Sequence, residues 1–270
     1  MLQLGPAGSG GLGNSAGIKK IKNVGLDAME VEFTYGVRMS DEKAKIIGAL
    51  AKKLKISLSV HAPYYINLAS LDKTKIVASK KRILDACQKA HLMGARYVVF
   101  HAGFYQGRPK NKIYAIIKSE LIDLVRTIKI KKWNVTLAPE VTGKASQFGD
   151  IDELLRLKKE TGCELCVDFA HLLAREGQID YVSVFGKLKG IKHIHAHFSG
   201  IEFTNKGEKR HRLTEKKAIT DLLRHIFKQK IDITIINESP DPIGDSLKTR
   251  IIAESMRNNP EEFKKRRGNQ

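Results

Sequence analysis

Long apolar segments are missing from this 270-residue sequence. The apolar runs are short, such as Tyr97 to Phe100, and none approaches the ~20 consecutive apolar residues that a membrane-spanning helix requires. The first residues also lack the charged start and apolar stretch of a secretory signal. We therefore expect a cytoplasmic protein that does not associate with a membrane.

Cysteine is scarce as well, with three residues in the chain. Cys163 and Cys166 form a C-x-x-C pair, but a zinc ribbon would need a second pair, and only Cys87 remains. An odd number of thiols cannot pair completely within one chain. We expect small buried thiols instead, in keeping with a reducing compartment.

Acidic residues are few relative to basic ones, since 29 Asp and Glu face 48 Lys and Arg, for a net charge of +19. Such a charge attracts polyanions, including nucleic acids. A lysine-rich composition is also found in proteins from hot environments, so charge alone does not decide the partner. Four consecutive basic residues within positions 263–270 predict a flexible basic tail after a single domain of residues 1–262.

The sequence has no nucleotide-binding fingerprint. A glycine-rich loop runs from Gly8 to Gly13, but its spacing matches neither G-x-G-x-x-G nor a phosphate-binding loop. What the sequence does have is a regular alternation of short β-branched runs with longer segments that show helical spacing of apolar residues. The predicted strands are Leu2–Gly5, Ala28–Phe33, Ser57–His61, Tyr97–His101, Val135–Glu140, Glu164–Asp168, His193–His197 and Ile233–Glu238.

Helices are predicted between these strands. One begins with an N-cap serine, Ser40, followed by two acidic residues, and another is followed by Gly94, a residue that often terminates helices. Eight strands alternating with helices in a chain of this length predict a closed (β/α)8 TIM barrel rather than an open doubly wound sheet. The predicted helices are Asn14–Lys22, Ser40–Leu54, Lys73–Met93, Pro109–Lys131, Ile151–Glu160, Ile179–Lys187, Thr214–Gln229 and Ser246–Met256.

Six of the predicted strands end in a residue of a metal-ligating type. In a closed parallel barrel these ends converge on one face, where barrel enzymes have their active sites. A single histidine on an apolar strand is usually a structural residue, but six convergent residues of this kind indicate a metal site. The six residues are His61, His101, Glu140, Asp168, His197 and Glu238.

Three further candidates follow the strand ends. We place His171 in one loop with Asp168, and Glu208 and His211 in the loop after the seventh strand. Nine candidates are too many for one catalytic ion, which usually keeps three protein ligands. We therefore expect two or three ions per chain, with Glu140 or another carboxylate as a bridge.

The chemistry of these candidates favours zinc. Five of the nine are imidazoles, which zinc and its neighbours prefer, whereas magnesium prefers cages made entirely of oxygen. Manganese or iron in some of the positions is the alternative. Clustered ions ~3.5–4 Å apart suit the cleavage of phosphate esters, because they bind both the attacking and the leaving oxygen.

Six motifs, in order along nearly the whole chain, resemble the endonuclease IV family, the trinuclear-zinc apurinic/apyrimidinic endonucleases among the xylose-isomerase-like barrels. The resemblance is more specific than any single motif because all six occur in the family's order. The motifs are Val60–Leu68, Phe100–Gly103, Pro139–Gly149, Val167–His171, His195–Ser199 and Asn237–Asp241.

The resemblance implies a distribution of the ligands over three ions. A third ion would be held by His171 with Glu208 and His211, where the family has Asp-x-His and this chain has Glu-x-x-His, so the likeness is weakest there. Glu140 would bridge the other two ions and be indispensable for catalysis. Those two ions would be completed by His61 and His101 on one side and by Asp168, His197 and Glu238 on the other.

The resemblance also implies a substrate, a reaction and a monomeric state. Members of this family hydrolyse the phosphodiester 5′ to an abasic site in double-stranded DNA or at 3′-blocked lesions, and they insert side chains into the duplex. The matching positions are Arg38, Tyr64 and Tyr65. Aromatic wedges replace lost stacking, and a nucleotide is easiest to extrude where its base is missing. The alternative for the two tyrosines is packing within their own loop.

Two other functions remain open from the sequence. A sugar isomerase or epimerase would keep the barrel, but relatives of that kind use carboxylate-richer sites, and five imidazoles together with the net charge argue against it. A nucleic-acid-binding protein without activity would be expected to have a broken ligand set. In this chain the segment around Glu208 is the unusual part.

Overall fold

The computed structural model describes residues 1–259 and consists of an eight-stranded parallel barrel with a two-stranded hairpin on one end. The hairpin strands are β8, Gly200–Thr204, and β9, Gly207–Arg212. The barrel strands are β1 (Leu2–Pro6), β2 (Ala28–Glu32), β3 (Ser57–His61), β4 (Tyr97–Phe100), β5 (Thr136–Pro139), β6 (Cys166–Asp168), β7 (Ile194–Phe198) and β10 (Ile233–Asn237).

Two four-stranded parallel sheets close into the barrel. Their orders are β1-β10-β7-β6 and β2-β3-β4-β5. At one seam Ala7 pairs with Glu30, and Gly8 N donates to Glu30 O at 2.9 Å. At the other seam Glu140 pairs with Cys166, and Val141 N donates to Cys166 O at 3.0 Å. The closed (β/α)8 barrel predicted from the sequence is confirmed.

Helices surround the barrel, and their apolar faces cover the outer face of the sheet. Ser40 caps α2 by accepting a hydrogen bond from Lys43 N, and Gly94 ends α3 in the left-handed conformation at φ 68°, both as predicted. The helices are α1 (Asn14–Asn23), α2 (Asp41–Leu54), α3 (Lys73–Met93), α4 (Lys110–Ile130), α5 (Ile151–Thr161), α6 (Phe169–Glu176), α7 (Tyr181–Lys187), α8 (Lys216–Gln229) and α9 (Pro242–Asn258).

The segment from Asp168 to His171 was predicted to be a loop, and this is wrong. It forms the start of helix α6. Asp168 is the N-cap residue, and its Oδ1 accepts a hydrogen bond from His171 N at 2.7 Å. The helix has only eight residues and ends at Gly177. Such a short helix directly after a buried strand shows too few turns for its period to be recognised.

The segment that carries Glu208 and His211 was also predicted as a loop, and this too is wrong. It forms strand β9, which pairs antiparallel with β8. Its sequence, GEKRHR, has no alternation of apolar and polar residues, because the hairpin stands on the end of the barrel instead of covering a core. The usual signal of a half-buried strand is therefore missing.

Three other predictions concern the cysteines, membrane association and the C-terminus. All three cysteines are buried and free, as expected. Within residues 1–259, no helix combines the length and the apolar character needed to span a bilayer. The predicted basic tail, 263–270, lies outside the described residues, so the boundary of the single domain at 262 stays a prediction.

Candidate metal centre

The six strand-end candidates meet at the carboxyl end of the barrel. His61 and Asp168 are the last residues of β3 and β6. His101, Glu140 and Glu238 each lie one residue beyond the strand to which they were assigned, a difference within the usual uncertainty of strand ends. The barrel therefore brings residues that are far apart in sequence onto one face, as its geometry requires.

Glu140 lies at the centre of this group and faces histidines with both carboxylate oxygens. Its Oε2 is 3.2 Å from His61 Nε2 and 3.0 Å from His101 Nε2. Its Oε1 is 3.1 Å from His197 Nδ1 and 3.3 Å from His171 Nδ1. Each oxygen thus faces a different set of nitrogens, which is the arrangement that a carboxylate bridging two cations needs.

The Glu140 carboxylate is buried, yet its environment favours the ionised form. Burial raises the pKa of a carboxyl group, but His101 and His197 hold the pKa of Glu140 well below its ordinary value. A buried anion surrounded by imidazoles is suited to binding cations, because deprotonated imidazoles and a carboxylate are all metal ligands.

A first set of ligand atoms comes from His61, His101 and Glu140, which lie within 4.8 Å of one another. His61 Nδ1 donates to Ala62 O at 2.8 Å, so Nδ1 carries a proton and Nε2 is free to bind a cation. The hydrogen bond also fixes the orientation of the ring. This set offers three ligands, the usual number at a catalytic zinc.

A second set comes from Glu140, Asp168, His197 and Glu238, again within 4.8 Å of one another. His197 Nδ1 lies 3.3 Å from Glu238 Oε1. Asp168 Oδ1 caps helix α6, whereas Asp168 Oδ2 is buried and has no hydrogen-bond partner within residues 1–259. Burial raises the pKa of Asp168 to about 6. A buried carboxylate oxygen without a partner is costly, so this atom is a fitting position for a metal ligand.

A third, more open set comes from His171, Glu208 and His211. His171 Nδ1 donates to Val141 O at 3.0 Å, which leaves Nε2 free, 3.0 Å from Glu208 Oε2. The rings of His171 and His211 are 5.5 Å apart between centroids. His211 Nε2 lies 3.9 Å from Glu238 Oε2. The three residues that the resemblance assigns to a third ion therefore face the same space.

A β-bulge explains how Glu208 and His211, three positions apart, both face the site. In a regular strand, residues at that separation point to opposite faces. Here Phe203 pairs with Glu208 and Ile201 with His211, so β9 contains one more residue than the facing segment of β8. The extra residue moves His211 back to the face of Glu208. The Glu-x-x-His spacing thus places two side chains together, as Asp-x-His would in a strand without a bulge.

Gly143, in the loop after β5, holds the hairpin against the barrel. Its carbonyl oxygen accepts a hydrogen bond from Glu208 N at 3.0 Å. A Cβ atom at Gly143 would collide with the carboxylate of Glu208 and approach the ring of His171. Only glycine therefore allows this approach of the backbone to the third set of ligands.

Two acidic residues beside the candidate ligands, Glu30 and Glu32 on β2, were not predicted from the sequence. Glu30 is fully buried, and its Oε1 lies 2.8 Å from His197 Nε2. Glu32 is paired in register with His61, and its Oε1 is buried without a hydrogen-bond partner. Burial raises the pKa of Glu32 to about 8, although His61 opposes this effect. The available signal was the alternation of two acidic residues with apolar ones along β2. It was missed because the strand was predicted to end at the apolar Phe33, and candidates were sought at strand ends.

The three residues predicted to contact DNA lie in the loops that follow β2 and β3. Tyr64 and Tyr65 are 58% and 65% exposed, in the loop after β3. The ring of Tyr64 meets that of His61 edge-on, with 5.8 Å between centroids. The carbonyl oxygen of Tyr65 accepts a hydrogen bond from Arg82 Nη1 at 3.0 Å. Arg38 is exposed between β2 and α2. The side chains of both tyrosines are therefore partly accessible to a ligand.

A barrel that gathers imidazoles and carboxylates at the carboxyl ends of its strands has the architecture of the metal-dependent TIM barrel enzymes. The chain belongs to the xylose isomerase-like TIM barrel family, whose sequence profile matches residues 18–259. An uncharacterized protein of Methanocaldococcus jannaschii is 36% identical over 234 residues, which cover 82% of this chain and 84% of that protein. A probable endonuclease 4 of Mycoplasma mobile is 28% identical over 199 residues, which cover 68% and 69%.

Solved structures of two kinds of enzyme share this fold. A D-tagatose 3-epimerase-like protein superposes with a TM-score of 0.74 at 20% identity, over 96% of this chain and 98% of that one. Endonuclease IV from Thermus thermophilus superposes with a TM-score of 0.70, also at 20% identity, over 94% and 99%. At such identities the likeness concerns the fold alone, and the function must be argued from the site.

Proposed function

We propose that this protein is a metal-dependent apurinic/apyrimidinic endonuclease that hydrolyses the phosphodiester 5′ to an abasic site in double-stranded DNA. The observation that carries the proposal is the position of Glu140, whose two oxygens each face a separate set of imidazoles, with a third set beside them. A cluster of this kind suits phosphate esters better than a single-ion site would.

The residues fit a cluster of zinc ions. All ligand atoms of the three sets are imidazole nitrogens or carboxylate oxygens. Among residues 1–259, neither Asp168 Oδ2 nor Glu208 Oε2 has a hydrogen-bond partner, although both are buried. Imidazole-rich sets favour zinc, with manganese or iron as alternatives at individual positions. When bound, such ions would supply Lewis-acid chemistry, lowering the pKa of water and balancing charge on the phosphate.

The chain's own residues would hold and orient the reacting groups. Glu140 would set the separation of the two cations that share it. The hydrogen bonds of His61 and His171 to backbone carbonyls keep their Nε2 atoms directed at the site. None of these side chains needs to form a covalent bond to the substrate in this proposal, because water supplies the nucleophile.

Recognition of the lesion would come from the exposed aromatic residues and the positive charge. Tyr64 lies beside His61, so a side chain inserted into a duplex would be adjacent to the phosphate at the ions. Tyr65 and Arg38 would contact the DNA around the extruded nucleotide. The net charge of +19 supports binding of a polyanion that weakens steeply as salt rises.

Incision of a labelled duplex with one abasic site tests this function, provided that metal content is measured on the same preparation. We expect cleavage 5′ to the lesion that is lost on chelation and restored by zinc. An intact duplex of the same sequence is the matched control. Absence of cleavage in protein that retains two or more ions would reject the endonuclease assignment.

A second candidate function is epimerisation of a ketose, and Glu32 is the observation that favours it. This buried carboxyl group has a pKa of about 8 and lies beside the first ligand set, where a base could remove a proton next to a carbonyl. Incubation with ketohexoses in deuterated water tests the idea, because proton exchange at carbon leaves a label. Label incorporation that disappears in Glu32→Gln would favour the epimerase.

A further inference from the structure

A polar layer lies inside the barrel directly beneath the candidate metal centre. It consists of Glu30 on β2, Ser59 on β3 and His195 on β7, all of them buried. Glu30 and Ser59 are paired in register on neighbouring strands. None of these residues belongs to the three ligand sets around Glu140, so their presence in the interior of the barrel needs an explanation of its own.

Glu30 connects this layer to His197. Ser59 Oγ donates to Glu30 Oε2 at 2.6 Å, and His195 Nε2 lies 3.0 Å from the same oxygen. The other oxygen, Glu30 Oε1, lies 2.8 Å from His197 Nε2. A buried carboxylate is very costly unless polar groups surround it. Glu30 is therefore held in one position by two residues and faces His197 with its remaining oxygen.

The contact with Glu30 determines which nitrogen of His197 binds a cation. Glu30 Oε1 and His197 Nε2 are 2.8 Å apart, and neither atom makes a hydrogen bond to any group among residues 1–259. A carboxylate beside one imidazole nitrogen stabilises the proton on that nitrogen, so the other nitrogen keeps its lone pair. In His197 that other nitrogen is Nδ1, which faces Glu140 and Glu238.

We propose that Glu30 is a positioning residue that keeps the proton of His197 on Nε2 and directs Nδ1 at the second ligand set, with Ser59 and His195 holding Glu30 in place. The inference requires that His197 binds a metal ion, but it is independent of the substrate. It applies equally to an endonuclease and to an epimerase. A negative result for the role of Glu30 would therefore leave the proposed function standing, and a negative result for the function would leave the role of Glu30 standing.

One other arrangement competes for the same atom. Ligand atoms of Cys166, His195 and His197 also lie within 4.8 Å of one another. An ion that bound there through Nε2 of His197 would compete with Glu30 for this nitrogen. The Glu30 contact is the better match, because Glu30 Oε1 makes no hydrogen bond to any of residues 1–259 and would be left as a buried, unpaired carboxylate oxygen if an ion took its place.

The first experiment measures the tautomer directly. In zinc-loaded protein with 15N-labelled histidine, NMR should show His197 protonated at Nε2 and bound to metal through Nδ1. A metal-bound Nε2 would overturn the proposal. So would an additional ion in the wild type that is lost in Cys166→Ser.

The second experiment measures how Glu30→Gln changes the affinity of each ion, by chelator competition with zinc and by the visible spectrum of the cobalt-loaded protein. We expect the ion at the second ligand set, which includes His197, to bind about 10- to 100-fold more weakly. This is the usual effect of removing a carboxylate partner of a metal-bound histidine. The ion at His61 and His101 should be bound as in the wild type. A merely structural role would lower both affinities together or neither, and either result would contradict the proposal.

A milder variant keeps the test decisive if Glu30→Gln does not fold. Ser59→Ala removes one donor to Glu30 and leaves the carboxylate in place. We expect a smaller decrease in affinity for the same ion, the one at the second ligand set. The melting temperature of the metal-free protein is the control for folding. Unchanged affinity for both ions in a folded Ser59→Ala protein, together with unchanged affinity in Glu30→Asp, would overturn the proposal.

Discussion

The two ends of the barrel use histidine in different ways, and the difference is visible along one short stretch of chain. At the carboxyl end, His197 on β7 lies among the carboxylates of Glu30, Glu140 and Glu238. At the amino end, His193 stacks on the ring of Tyr97, with 6.2 Å between centroids, and its Nε2 forms a hydrogen bond with the hydroxyl of Thr234 at 3.1 Å.

The electrostatic surroundings of the two histidines are opposite. Burial by itself acts to lower the pKa of both side chains, and the neighbouring charges decide the final direction. At His197 the surrounding carboxylates, including Glu238 and Glu30, outweigh burial and raise the pKa well above its ordinary value. At His193 the positive charge of Arg96 acts in the same direction as burial, and the pKa falls to about 4. The carboxyl end is thus suited to cations, whereas the amino end favours a neutral ring.

The largest effect should follow from removing the carboxylate at the centre of the carboxyl end. Glu140→Gln keeps the size of the side chain but cannot balance two cations, so we expect turnover to fall by more than ~100-fold, the upper range for loss of a partner outside the ligand set. Metal content and abasic-duplex incision measure the effect. His193→Gln at the amino end is the control and should retain activity. Near-normal activity of Glu140→Gln would remove this residue from the metal centre.

The next largest expected effect is the loss of metal binding at the third ligand set alone. Gly143→Ala places a Cβ atom against the carboxylate of Glu208, so the number of bound ions per chain should fall by about one. Gly186→Ala is the matched control, because the corresponding Cβ on helix α7 meets no other atom within 4 Å. Elemental analysis of both proteins decides the matter, and an unchanged ion count in Gly143→Ala would separate Glu208 from metal binding.

A smaller effect is expected at the mouth of the site. Tyr64→Ala should weaken binding of an abasic duplex by ~1–3 kcal/mol, the range for loss of one aromatic stacking partner, while metal content stays the same. Ile130→Ala is the control. Ile130 is also exposed, at 70%, but it is the last residue of α4, a helix that runs back toward the amino end of the barrel. Fluorescence anisotropy gives both affinities, and equal values would assign Tyr64 to packing.

The smallest effect concerns stability at the amino end. The pKa of His193 is about 4 in the folded protein and 6.5 in the unfolded chain, so the unfolded state binds more protons between these values. Stability should therefore decrease as pH falls from about 6.5 to 4, and His193→Gln should lessen this decrease. Urea unfolding of both proteins across that range measures it. Parallel pH curves would show that His193 does not contribute.

The convergence of the strand-end candidates could be predicted because a parallel barrel leaves little freedom at its rim. Once the alternation of strands and helices is recognised, His61 and Asp168 must emerge on the same face, whatever lies between them in sequence. The short helix α6 and the hairpin could not be predicted in the same way. Their local sequences do not show a complete period, and both form because neighbouring segments hold them in place.

The sequence by itself determined the class of fold, the end of the barrel at which the candidate ligands meet, and most of the residues there, because periodicity and strand order are properties of the chain. Tertiary structure alone decided the positions of Glu30 and Glu32 and the face of β9 on which His211 lies. Those depend on which interior layer a strand residue enters and on one extra residue in β9, distinctions of a single position that no local pattern records.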